Sequence, residues 1–167
     1  MDGDLKVWDT LAICEYLAER FPDKHLWPQD AAARAVARST VAELHSGFGA
    51  LRQHCSMNIE ASLPEVGAII WRDQAGVRAD VQRACELFTE LLARHGGPML
   101  LGEFCIADAY YAPMCTRFTT YGIPLPEPVA AYAQRVLQLP GVKAWCDDAR
   151  AEQDFVAFQE PYRLRRD

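Results

Sequence analysis

Residues 99–118 read MLLGEFCIADAYYAPMCTRF, and this stretch decides the fold. From residue 106 to 118 it is apolar on nearly every side of a helical wheel. A helix of that kind has no face to offer water, so it is predicted to lie buried all round, at the centre of a helical bundle. Cys105 and Asp108 stand just before it at N-cap and N3 spacing. That pair forms a capping box in which the acid reaches back to a free backbone N–H. Sulfur is a weak acceptor, so Asp108 is expected to carry most of the capping. Both residues read as a folding device. Pro113 is expected to kink the helix.

Working outward, the neighbouring segments supply helices to surround it. Val77, Val81, Ala84, Phe88 and Leu91 share one face of a predicted helix over 77–95, which HGGP ends. Earlier, Ala37, Val41, Leu44, Phe48, Leu51 and Cys55 recur at alternating spacings of four and three, an apolar seam along a second long helix. Gly47 and Gly49 interrupt that helix at about 1 kcal/mol each relative to alanine, so they must serve close packing, a bend or a ligand. SMNIEASLPEVG reads as an irregular connection. Beyond the central helix, YGIPLPEP is a proline-rich loop, and shorter helices are expected near 128–139 and 141–152, the latter with Pro140 in its first turn. Phe155, Phe158 and Tyr162 mark a tail expected to pack at intervals.

The first thirty residues differ in character. Asp2-Gly3 is a tight-turn pair, followed by strand-like residues 5–8. Asp9 or Thr10 then caps a helix whose apolar face is Leu11, Ile13, Cys14, Leu17 and Phe21, with Pro22 stopping it. PDKHLWPQD has the composition of a linker, with Leu26 and Trp27 apolar enough to clip it to a neighbouring surface.

Composition excludes several classes. Of 167 residues, half are hydrophobic and about a quarter charged, which is ordinary for a globular chain. The formal charge of −6 argues against a nucleic-acid partner, and the cations of YRLRRD read as a solvated tail. No run approaches the roughly 20 apolar residues of a membrane span. The acidic start lacks the basic region of a secretory signal. The six cysteines contain no C-x-x-C pair and read as reduced thiols of a cytoplasmic protein. The four histidines show no zinc-binding spacing, so no metal is expected.

Three stretches in order, VWDTLAICEYLAERFP, LLGEFCIADAYYAP and LPGVKAW, resemble the glutathione S-transferase family, and ELHSGFGALR is similar to its bacterial branch. The resemblance implies an all-α fold: the family's C-terminal helical bundle over 29–167, preceded at 1–28 by one strand, one helix and the linker left from a thioredoxin-like domain. Asp2-Gly3 would then be the turn between that domain's two final strands, with most of the domain missing from this sequence. The implied activity is conjugation of glutathione, as co-substrate, to small hydrophobic electrophiles in detoxification. The alternative is a non-catalytic, protein-interacting module derived from a transferase. Family members are dimers, so a homodimer is expected.

The resemblance assigns glutathione binding to Asp9 and Thr10. A helix N-terminus suits a carboxylate, a hydroxyl adds a hydrogen bond, and an acid can pair with an ammonium group. The γ-glutamyl end of glutathione carries both charges on one carbon. Without the resemblance, Asp9 and Thr10 read first as an N-cap. The family's thiolate-stabilising Ser, Tyr or Cys falls in the portion not represented here, so no catalytic residue is named. Cys14 and Tyr16 lie inside a helix and read as packing residues. For the electrophile pocket, the resemblance points to His45, Ser46, Phe48, Gly49 and Arg52, although Phe48 also belongs to the apolar seam and His45 also reads as an ordinary helix histidine. Tyr110, Tyr111 and Arg117 are weaker candidates.

Overall fold

The computed structural model describes residues 2–165. Among them are eight α-helices: α1 (Thr10–Arg20), α2 (Ala31–Ser46), α3 (Gly49–His54), α4 (Pro64–Asp73), α5 (Ala75–His95), α6 (Ile106–Thr120), α7 (Glu127–Gln138) and α8 (Pro140–Glu152). The architecture is all-helical, and α6 is its axis. It packs against α2 on one side and α7 on another, while α5 closes the bundle over α3, α4 and α7. Ten of the residues of α6 are buried, as its all-round apolar sequence requires. Three aromatic rings lock the centre: Phe88 meets Tyr111 edge-on at 4.9 Å between centroids and Tyr132 at 5.1 Å. Such edge-to-face pairs place a positive ring edge on a negative face.

The start of α6 is held by one carboxylate. Asp108, fully buried, accepts from the Cys105 N–H at 2.9 Å, the Leu100 N–H at 3.1 Å and the Tyr132 hydroxyl at 3.0 Å. Cys105 completes the reciprocal capping box. Asp108 therefore ties the cap of α6 to the preceding loop and to α7. The linker is fastened here too. Trp27 is buried against Ala37, Val41 and Ile106, and the Ile106 N–H donates to the Leu26 carbonyl at 2.9 Å.

Several sequence expectations need correction. Residues 5–8 do not form a strand. Asp2 and Leu5 exchange both backbone hydrogen bonds, at 3.1 Å each, around a tight turn with Gly3 at φ +57°, and no further ladder follows among the described residues. An extended segment with no backbone beside it has no ladder partner, and at this exposed position its N–H and C=O groups are left to solvent. The apolar seam from Ala37 to Cys55 is buried throughout, but it belongs to two helices. Gly47 ends α2, its Cβ position only 2.7 Å from the Glu43 carbonyl oxygen, and Phe48 follows in the left-handed region at φ 54°. The break keeps the seam facing the core while redirecting the chain.

The connection after α3 also contains a helix, α4, with Leu63 at its N-cap and Pro64 in its first turn. Its Gly67 approaches the end of α6 so closely that a Cβ there would lie 1.7 Å from the Tyr121 carbonyl oxygen. In the tail, Tyr162 packs on Tyr121 and donates its hydroxyl to the His54 carbonyl at 2.8 Å, whereas Phe158 is 81% exposed. The basic end YRLRRD runs past the described residues at Arg166 and Asp167.

Candidate functional site

Asp9 occupies an unusual backbone position. It caps α1 with φ 76° and ψ 128°, a conformation that side chains other than glycine rarely adopt. Strain of this kind persists only where the surroundings over-determine it. Here both carboxylate oxygens are held. Oδ1 accepts from the Leu11 N–H at 2.9 Å, and Oδ2 lies 3.2 Å from Nε2 of His45 on α2. Nδ1 of the same imidazole is 2.9 Å from the Tyr110 hydroxyl on α6, which is itself 2.6 Å from the Thr10 hydroxyl. A neutral imidazole with its proton on Nε2 satisfies all three links: Thr10 O–H donates to Tyr110, Tyr110 O–H to Nδ1, and Nε2–H to Asp9. Three helices thus converge on the first turn of α1.

Beside this network lies a cavity of about 570 Å³. Ile13 and Cys14 line it from α1, Leu44 and His45 from α2, Leu51 and Arg52 from α3, and Tyr110, Pro113, Met114 and Arg117 from α6, with Met57 at its edge. The wall is mostly apolar, with hydroxyls at one end and two guanidinium groups among the apolar side chains. It has the size and character of a small-molecule site. Arg117 is partly buried, and burial pulls its pKa below the usual arginine range. Its Nε donates to the Cys55 carbonyl and a terminal nitrogen donates to the Pro113 carbonyl, both at 2.9 Å.

The candidates from sequence separate on this geometry. Thr10, His45 and Arg52 face one cavity, with Asp9 bonded to His45 at its end. Ser46 is exposed and donates to the Ala42 carbonyl at 3.0 Å, away from the cavity wall. Phe48 is buried edge-on against Tyr111, and Gly49 opens α3. Tyr111 is fully buried with its hydroxyl on the Thr40 carbonyl at 3.0 Å, and burial drives its pKa upward. Cys14 reaches the wall, but burial and the neighbouring Glu15 raise its thiol pKa, which disfavours the nucleophilic thiolate. Tyr16 donates to Asp2 at 2.6 Å, outside the cavity. Tyr110 and Arg117 carry more of the site than their sequence signal suggested. They stand in a helix apolar on every side, where the pattern cannot distinguish a cavity wall from core.

The family model described as glutathione S-transferase, C-terminal domain, matches residues 29–148. The chain belongs to the glutathione S-transferase family. It is 29% identical over 128 residues to glutathione S-transferase 1 of Dianthus caryophyllus, an alignment covering 75% of this chain and 56% of that relative. It is 26% identical over 146 residues to glutathione S-transferase GstB of Escherichia coli, covering 85% of this chain and 68% of the relative. The crystal structure of a Burkholderia glutathione transferase homolog with bound glutathione superposes with a TM-score of 0.66 at 24% identity, over 90% of this chain and 71% of that one. That structural likeness establishes the fold. The chain thus spans little more than half the length of the Dianthus transferase.

Proposed function

We propose that this chain supplies the helical half of a glutathione transferase that conjugates glutathione to small hydrophobic electrophiles when the N-terminal domain is present. The observation that carries the reading is the Asp9-Thr10 pair, held at the first turn of α1 and opening onto an apolar cavity. In this reading the first-turn N–H groups and the Thr10 hydroxyl receive the γ-glutamyl carboxylate of glutathione, and Asp9 receives its ammonium group. The contacts to His45 and Tyr110 then loosen as the ligand replaces them. The electrophile lies against Ile13, Leu44, Met57 and Met114. In conjugation the thiol gives up its proton, a sulfur electron pair forms the bond to carbon, and the leaving group departs with its own pair. The group that stabilises the thiolate is proposed to come from the rest of the thioredoxin-like half.

A second feature supports assigning residues 1–28 to that half. Helix α1 buries none of its residues, and Ile13, Leu17 and Phe21 are substantially exposed, as is Trp8 at 81%. An apolar face of this kind suits cover by further protein. The same reading carries homodimer formation, a cytoplasmic location and a role in detoxification as proposals.

The test is glutathione affinity of the chain measured by calorimetry, compared with Asp9→Ala. Loss of one charge-assisted contact corresponds to about 1.5–3 kcal/mol, or at least about tenfold weaker binding. Equal affinity of the two proteins would overturn the site assignment.

A further inference from the structure

After α8 the backbone turns at Gln153, in the left-handed region at φ 59°, and residues 155–163 run back to the connection between α3 and α4. This tail grips the connection at two points. Tyr162 donates its hydroxyl to the His54 carbonyl at 2.8 Å, while its ring meets Tyr121 edge-on at 6.1 Å. Glu160 accepts from the Asn58 side-chain amide at 2.7 Å. Arg163 forks the same carboxylate with two bonds of 2.7 Å and reaches Glu60 at 3.4 Å. Asn58 is buried, and its Oδ1 accepts from the Glu60 and Ala61 N–H groups at 3.1 and 2.9 Å. The second grip is thereby passed into the backbone of the connection.

Met57 stands between the two grips, and its side chain forms one edge of the cavity beside Thr10. Residues 55–61 contain no helix or strand, so side-chain bonds rather than a backbone ladder hold them. A thioether with three rotatable bonds makes a wall only as firm as the backbone that carries it. The tail itself is lightly held. Val156, Phe158 and Leu164 are exposed, and a crevice of about 350 Å³ lies between the tail and residues 57–60. A segment with so few buried apolar contacts opens locally at low free energy.

We infer that residues 155–163 form a strap that sets the Met57 wall of the cavity. With the strap seated, the connection is fixed and the cavity keeps its shape. With it lifted, residues 54–61 loosen, and a small apolar molecule in the cavity is released more readily. Tyr162 and Glu160 are positioning residues in this scheme, acting through His54 and Asn58, since neither lines the cavity. The inference rests on the transferase reading only in taking that cavity as the seat of the electrophile; the strap itself requires no glutathione.

The test compares the full chain with a Tyr162→Phe, Glu160→Gln double variant, which keeps the shape of both side chains. Hydrogen exchange at the Cys55, Glu60 and Ala61 amides should quicken about tenfold, the size expected for two lost hydrogen bonds, while α5 and α6 stay unchanged. The uncharged fluorescent probe N-phenylnaphthylamine should bind about threefold more weakly, with the urea midpoint of the bundle unmoved. That loss should disappear when both proteins also carry Met57→Ala, because the wall that the strap sets is then gone. Phe158→Ser, at an exposed position of the same tail, should change neither readout. Unchanged exchange at 55–61, unchanged probe affinity, or a loss equally large without Met57 would overturn the inference. Glutathione affinity is measured on the same samples. Strap effects without any glutathione binding would overturn the transferase reading and leave the strap standing, and glutathione binding without strap effects would do the reverse.

Discussion

Replacing Asp108 with alanine tests whether one carboxylate assembles the centre of the bundle. The side chain is fully buried and accepts from the Cys105 and Leu100 N–H groups and the Tyr132 hydroxyl. Alanine would leave three buried donors unpaired, and each unsatisfied group costs about 1–3 kcal/mol. Part of that is returned, because the variant no longer desolvates an ionised carboxylate. The net expectation at neutral pH is a loss of about 3–4 kcal/mol, a large fraction of the roughly 5–15 kcal/mol that holds a typical domain. With a urea slope of about 2 kcal/mol/M, the midpoint should fall by about 2 M. Asp108→Asn should lose less, about 2 kcal/mol, since one oxygen still accepts while the amide NH₂ opposes a backbone donor. Tyr132→Phe should lose about 1 kcal/mol, since it removes one of the three donors. Urea melts followed by far-UV circular dichroism would measure all three. A loss below about 1 kcal/mol for Asp108→Ala would refute the reasoning, since those donors would then be finding other partners.

Two further outcomes follow from the same packing. Burial pushes the Asp108 pKa above its ordinary 3.8, against the pull of its hydrogen-bond donors. The folded chain therefore holds this proton at pH values where the unfolded chain has released it. The contribution of Asp108 is full below the unfolded pKa and falls as pH rises through the folded one. The stability margin of the wild type over Asp108→Asn should accordingly shrink as pH rises above the ordinary carboxylate value of 3.8, and urea melts showing that it grows would contradict this. Gly67→Ala should destabilise by about 3 kcal/mol or more through overpacking, since its Cβ would meet the Tyr121 carbonyl oxygen at 1.7 Å; an unchanged melting temperature would disprove that close approach.

The fold was legible because burial leaves a strong imprint on helices. A segment apolar on every face, as in α6, has one place to go, and the seams of α2, α3 and α5 describe the surfaces that enclose it. Asp108 announced its capping role through its spacing from Cys105 alone. Trp27 was legible as a clip because an indole in a polar linker has little other reason to be there. The break at Phe48 was not legible, because the apolar seam continues unchanged across it. The helix α4 was hidden for a related reason: it is short, and its fit depends on Gly67 meeting a carbonyl some fifty residues away.

The site divides along the same line. Local sequence determined Asp9 and Thr10 as a helix start, because such a start is written in adjacent residues and its free N–H groups follow from helix geometry; the resemblance to the transferase family is what points glutathione to them. Their link to His45 and Tyr110 joins residues far apart in the chain, and only the packing of α1, α2 and α6 brings them within hydrogen-bond distance. The same holds for Arg52 and Arg117. Each is an unremarkable arginine in its own helix, and their shared cavity exists because α3 and α6 converge there. Sequence determined which residues leave water. Tertiary structure decided which of them face one another, because that depends on helix crossings that no local period encodes.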